Sequence, residues 1–394
     1  MPEIAFYFHV HQPLRLGRYS AFEDSAAFDY FDRDVNKYYF RKAAENCYLP
    51  ANRLLKKLVS ENGFKCSFSI SGVFLEQCEA YGGDVLNSFQ ELVDTKKVSL
   101  VQETYHHSLS SLYADLSEFE QQVKLHGAKL RKLFGVSPKV FRNTELLYDN
   151  RTARAVEKLG FKAMLAEGLE RVLGWRSPNF VFKSRDCDLK VFLRNYKLSD
   201  DIGFRFSSRW WSEWPLTAGK YAAWLSANKG QCVNLFMDYE TFGEHHWRES
   251  GIFEFMQDLC SNHSLSFATL EDLLAFPAVG EIDEQHAFSW ADLERDASAW
   301  LGNSMQNACF IELQKIGELA KTAVNPQALD TWRKLQTSDH FMYLCTKSWN
   351  DGDVHKHFSP YKQNTPVENY ANFMNVLIDF RQRLENEAGI VSSN

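Results

Sequence analysis

The stretch Val233-Asn234-Leu235-Phe236-Met237-Asp238-Tyr239-Glu240-Thr241-Phe242-Gly243-Glu244-His245-His246 opens as a short apolar run and closes as a file of carboxylates and imidazoles. Its first five residues read as a strand, and the polar residues follow where that strand ends. The same pattern recurs upstream. Ile4–Val10 runs into His11-Gln12-Pro13, and Cys66–Ile70 into Ser71-Gly72-Val73-Phe74-Leu75-Glu76. Val98–Val101 runs into Gln102-Glu103-Thr104-Tyr105-His106-His107, and Lys139–Phe141 into Arg142-Asn143-Thr144-Glu145. Ala163–Leu165 is a further strand and Phe267–Thr269 a weaker one. Amphipathic stretches such as Pro50–Ser60, Ser117–Phe134 and Asn150–Leu159 lie between them. Strand-then-helix alternation points to an α/β fold with mostly parallel strands. About seven strands in residues 1–275 suit a barrel better than a small open sheet, with the polar strand ends gathered on its C-terminal face.

Beyond Pro277 the pattern changes. Residues 289–323 read as almost wholly helical, and residues 327–348 and 366–386 read as helical too. The expected organisation is a catalytic barrel over 1–275 and a helical bundle over 276–394. No Gly/Ser linker separates them, so the bundle is expected to pack on the barrel and contribute to its cleft.

Composition narrows the function. The chain has 394 residues, 44 Lys plus Arg against 51 Asp plus Glu, and a formal net charge of −7. That balance lacks the basic face of a nucleic-acid binder and does not suggest a membrane-surface role. No run approaches the ~20 apolar residues of a membrane span. The opening Met1-Pro2-Glu3-Ile4-Ala5-Phe6-Tyr7 has no basic n-region, which argues against a secretory signal. Eight dispersed cysteines without a C-x-x-C pair read as reduced thiols of a cytoplasmic protein. Aromatics make up 14% of the chain, with 31 Phe, 16 Tyr and 10 Trp. Most of the Phe belongs to the core, and the Trp and Tyr excess also suits a cleft that stacks on sugar rings.

The strand-end residues suggest chemistry by their coincidence. No nucleophile elbow, P-loop or dinucleotide fingerprint is present. Two carboxylates facing an aromatic-lined cleft fit glycoside hydrolysis. A divalent metal held by His9, His11 and Asp238 is the competing arrangement. Glu240 lies two residues beyond Asp238, so on a continuing strand both side chains share a side. A charged Glu240 would then raise the pKa of Asp238 and help it act as an acid.

Taken in order, these segments resemble the signatures of glycoside hydrolase family 57. The matching pieces are His9-Val10-His11-Gln12-Pro13, Gly72 through Glu76, Phe141-Arg142-Asn143-Thr144-Glu145 and Asp238 through His245. Ala299-Trp300-Leu301-Gly302-Asn303 with Gln306 follows, and Ser338-Asp339-His340-Phe341 resembles the amylase branch. The resemblance covers residues 4–345. It implies an incomplete (β/α)7 barrel followed by a helical region, and a retaining mechanism on α-glucans. By motif position Glu145 corresponds to the nucleophile and Asp238 to the general acid/base. His9, His11, Glu76, Glu240, Trp300 and Asn303 correspond to substrate-binding positions. The implied enzyme is an α-amylase acting on α-1,4-glucosidic bonds of α-glucan or malto-oligosaccharide. The family also holds 4-α-glucanotransferases and branching enzymes, and a non-catalytic α-glucan-binding protein is the alternative of another class. Two carboxylates suffice for double displacement, so no cofactor and no metal are expected. Glu103, His106 and His107 receive no role.

Overall fold

The computed structural model describes residues 1–20, 28–347 and 364–389. Its strands are β1 (Glu3–Val10), β2 (Cys66–Ile70), β3 (Val98–Val101), β4 (Val140–Arg142), β5 (Ala163–Glu167), β6 (Phe182–Ser184), β7 (Lys190–Arg194), β8 (Cys232–Asp238) and β9 (Glu281–Ile282). Parallel ladders run in the order β3-β2-β1-β8 and, through β4, β5 and β7, in a second sheet. The two are joined by a parallel bridge between Gln102 and Phe141. Between β7 and β8 there is no ladder. The Asn234 side chain bonds to the Leu193 carbonyl at 2.9 Å, and the Asn195 amide to the Asn234 carbonyl at 2.9 Å. These parallel strands form an incomplete (β/α)7 barrel. Strand β6 runs antiparallel beside β7, and β9 pairs with β6.

One barrel strand escaped the sequence reading. Lys190-Val191-Phe192-Leu193-Arg194 has only three apolar residues between two cations, and β7 is nonetheless buried on its sheet. Conversely, Phe267–Thr269 forms no strand. Phe267 makes a single bridge to Ile4.

The two-residue period of the strands decides what enters the lumen. Along β1, Phe6 and Phe8 pack outward with Phe68 and Tyr239, whereas Ala5 and Tyr7 pack inward with Leu165, Phe192 and Phe236. His9 continues the inward file. The same alternation carries Glu103 beyond β3, Arg142 on β4, Arg194 on β7 and Asp238 on β8. The lumen is therefore apolar below and ends in a charged layer at the C-terminal edges of the strands.

The C-terminal region contributes the helices Ser298–Leu301, Ser304–Thr322, Pro326–Lys334, Ser338–Met342 and Pro366–Glu387. Leu313, Ile316, Trp332, Phe373, Leu377 and Phe380 share one core there. Residues 289–297 are not helical, contrary to the periodicity. Asp292 and Arg295 adopt left-handed backbone angles, φ 56° and 52°, which a continuous helix does not accommodate. The helix expected over 327–348 is split by a break at Leu335–Thr337, and its last residue lies outside the described residues. No helix among the described residues is long and apolar enough to cross a membrane. All eight cysteines are free thiols, seven of them buried.

Candidate active site

The Phe141–Glu145 segment shows how a strand end presents a carboxylate. Arg142 finishes β4 facing the lumen and is fully buried. Asn143 then clamps a tight turn. Its Oδ1 accepts from the Thr144 amide at 3.0 Å, and its Nδ2 donates to the Leu147 carbonyl at 2.9 Å. Glu145 takes a left-handed conformation, φ 57°, unusual for a residue with a side chain. The turn swings its carboxylate into the cleft.

Among the described residues, that carboxylate accepts hydrogen bonds from three parts of the chain. His107 Nε2 donates to Oε1 at 3.1 Å and Ser338 Oγ to the same oxygen at 2.9 Å. Trp290 Nε1 donates to Oε2 at 2.8 Å. The donors fix the carboxylate's orientation and complement its negative charge. Trp290 is itself held by two cations, with Arg142 5.2 Å and Arg194 5.7 Å from its ring.

Behind Glu145 lies a buried charge relay. His107 bonds through Nδ1 to Glu103 at 3.2 Å and through Nε2 to Glu145. Burial opposes charging of this imidazole, but the two carboxylate bonds outweigh it and push its pKa up to about 9. Burial likewise pushes the Glu103 carboxyl up, yet His9 and His107 hold it well below the usual range. His9 lies 3.4 Å from Glu103 through Nε2 and 3.4 Å from Asp238 through Nδ1. The His9 and His107 rings stack with centroids 4.7 Å apart. Through these two rings Asp238 and Glu145 belong to one network.

His11 is a different kind of histidine. Its Nε2 bonds Asp339 at 3.0 Å and its Nδ1 bonds Ser71 Oγ at 2.7 Å. Burial, then His107, lowers its pKa to about 4. The ring is thus neutral at ordinary pH. It donates through Nε2 and accepts through Nδ1.

His9, His11, His107, Glu145, Asp238, Glu240, Arg194 and Trp290 all line one cleft that opens to solvent. Of the residues expected at substrate-binding positions, three lie elsewhere. Glu76 sits on the helix Gly72–Tyr81, accepts from Tyr105 Oη at 2.8 Å and faces Lys334 at 3.5 Å. Trp300 is wholly buried in the C-terminal core, as its apolar helical spacing permits. Asn303 caps the helix Ser304–Thr322 in a capping box with Gln306.

Glu240 lines the cleft but not as the strand argument placed it. After Asp238 the chain leaves β8 for a tight turn, Tyr239–Thr241, which ends the two-residue period. The carboxyl turns to the Tyr48 hydroxyl and to Gln12 Nε2 at 3.3 Å. Burial, then the neighbouring Asp238, raises its pKa to about 8. The proton of the neutral-pH state therefore sits on Glu240, and Glu240 is not the standing charge that was expected to lift Asp238.

This carries a pH signature. Between about pH 4.5 and 8 the folded protein keeps a proton on Glu240 that the unfolded chain has released. Stability attributable to this group therefore falls as pH rises through that window. Glu240→Gln preserves an acceptor for Tyr48 and Gln12 and cannot ionise. Its stability relative to wild type, from urea unfolding, should rise steadily between pH 5 and pH 8. Parallel pH profiles would contradict the assignment.

Two groups have metal-ligand types within reach of one another among the described residues: His9, Glu103 and His107, and His11, His107 and Asp339. Neither is built for a cation. Arg142 Nη1 lies 3.3 Å from His9, 3.4 Å from His107 and 3.6 Å from Glu103, so the guanidinium stands where a metal would. His107 belongs to both groups and uses both nitrogens on carboxylates. The trio His9, His11 and Asp238 does not converge on a point.

Sequence reasoning left Glu103, Arg142, His107, Trp290 and Ser338 without a role. Arg142 and Ser338 were inside quoted motifs, and His107 beside one, so their residue types were visible but their neighbours were not. Trp290 had no signal, because the helical periodicity around it hid the loop that delivers it. His106, by contrast, is buried away from the cleft, and both ring nitrogens lack a protein hydrogen-bond partner among the described residues.

Residues 5–277 match the profile of glycosyl hydrolase family 57. A protein of Methanocaldococcus jannaschii named "Putative alpha-amylase" is 44% identical over 393 residues, covering 96% of this chain and 84% of that one. The crystal structure of a family 57 branching enzyme from Thermococcus kodakaraensis superposes with a TM-score of 0.68 at 12% identity, over 100% of this chain and 96% of that chain. That of a 4-α-glucanotransferase from Thermococcus litoralis gives 0.68 at 16% identity, over 95% of this chain and 60% of that chain. At those identities the superpositions establish the fold alone.

Proposed function

Since the chain belongs to glycosyl hydrolase family 57, and so is a glycoside hydrolase, we propose that its cleft cleaves α-1,4-glucosidic bonds with retention, as an α-amylase. The observation that carries this reading is the Glu145 carboxylate, oriented by three donors and facing the same cleft as Asp238. Glu145 attacks the anomeric carbon while Asp238 protonates the departing glycosidic oxygen. The resulting β-linked glycosyl–Glu145 ester is then opened by water, which Asp238 deprotonates, restoring the α configuration. His9, between Asp238 and Glu103, and His107, between Glu103 and Glu145, position the two carboxylates. The neutral His11, held through both ring nitrogens by Asp339 and Ser71, presents its fixed ring to the cleft.

No step calls for a metal or cofactor. The buried free thiols support a cytoplasmic location.

Product analysis with maltoheptaose tests the reading. Shorter sugars alone, with the α anomer released first, are expected. Longer sugars would redirect the assignment to 4-α-glucanotransfer, and α-1,6 linkages to branching. Binding without turnover would make the protein a glucan-binding one.

A further inference from the structure

Most of the chain's aromatics are core, which makes the exceptions informative. Six large aromatic side chains are exposed among the described residues, and four of them, Phe204, Trp210, Trp214 and Trp247, lie on two segments beside the cleft. Phe204 is 44% exposed and lines the cleft, as does the adjacent Gly203. Trp247 is 65% exposed and lies two residues beyond His245, another lining residue.

The two segments are stitched together. His246 Nε2 donates to the Gly203 carbonyl at 3.1 Å, and the Ser207 hydroxyl bonds His246 Nδ1 at 2.8 Å. Phe206 packs on the His246 ring at 5.6 Å and on Phe255 at 5.1 Å, anchoring the segment to the core. Phe204 and Trp247 are thus the outward neighbours of one buried hydrogen bond, on a rim continuous with the cleft. Large aromatic faces left bare in this way cost solvation unless something covers them.

We propose that Phe204 and Trp247 form an outer sugar-binding step, stacking on glucose units of an α-glucan chain beyond those held at Glu145 and Asp238. The inference rests on the α-glucan reading and adds that the enzyme favours long chains. Glucose presents an apolar C–H face to an aromatic ring and hydroxyls at its edge. A rim that mixes rings with polar groups, and continues a cleft for the same polymer, suits that surface.

The test is the ratio of kcat/KM on amylose to kcat/KM on p-nitrophenyl α-maltoside, in wild type and in the Phe204→Ala/Trp247→Ala double variant. Two lost stacking contacts should lower that ratio about tenfold, mostly through KM on amylose. Maltoheptaose binding by calorimetry, on the Glu145→Ala background, should weaken in parallel. An unchanged ratio with unchanged binding overturns the proposal. So does a concentration-dependent dimer in wild type that the double variant abolishes while the ratio holds, since the rim would then cover a second copy. If wild type turns over no α-glucan, the functional reading fails by itself. Calorimetry still decides whether the rim binds the sugar.

Discussion

Glu145→Ala should lose nearly all turnover, about 10⁴-fold or more in kcat, because it deletes the atom that forms the covalent bond. Glucan should still bind, since the rest of the cleft is intact. The substitution also strips the acceptor from Trp290, Ser338 and His107. Buried donors left unpaired destabilise the fold by about 1–3 kcal/mol each at most. Glu145→Gln, which keeps the shape and an acceptor oxygen, is therefore the companion variant, and both should be equally inert if the loss is chemical. Azide fits the space a carboxylate vacates. With an activated α-glycosyl substrate, Glu145→Ala plus azide should yield the β-glycosyl azide, the product of a single inversion. Near-normal hydrolysis by either variant, or a β-anomeric first product from wild type, would end the nucleophile assignment.

Asp238→Ala should fail differently. Its side chain is about one-third exposed and touches His9 at 3.4 Å, so its removal disturbs little packing. On natural glucans the loss should be about 10²–10⁴-fold, the usual contribution of a positioned acid. On substrates whose leaving group needs no proton, formation of the glycosyl–enzyme should stay fast and its hydrolysis become slow. The predicted trace is a burst of leaving group, a lowered KM and a steady rate that azide accelerates. Attack of azide on the intermediate makes the second inversion, so the product is the α-glycosyl azide. Equal losses on activated and natural substrates would remove Asp238 from the acid/base role.

These assignments show what a chain reveals before it folds. The inward file of Ala5, Tyr7 and His9, and that of Phe236 and Asp238, follow from a period of two. Parallel neighbours then bring their ends together: His9 pairs in register with Asp238 across β1 and β8. Strand identity, β7 apart, barrel class and the inward place of Asp238 were legible for that reason, whereas Glu145, carried in by a left-handed turn beyond β4, came from its motif alone. Glu240 was misplaced because the period holds only while the strand lasts. Trp300 and Asn303 lie away from the cleft where they were expected, because motif position says nothing of burial or capping, although the Asn303…Gln306 spacing is itself a helix-start signal. Trp290 stayed hidden because left-handed residues at Asp292 and Arg295 carry no glycine to announce them.

The three donors to Glu145 also have a chronology. A ribosome delivers His107 before Glu145 itself, Trp290 almost one hundred and fifty residues after it, and Ser338 later still. A nascent chain that has closed its barrel strands through β8 therefore holds an unaimed carboxylate and a cleft lacking one wall. Competence arrives only when the last third emerges and docks. Premature termination anywhere before Ser338 yields a polypeptide whose Glu145 lacks the Ser338 donor. Under the proposed mechanism, turnover would report that synthesis had run to completion.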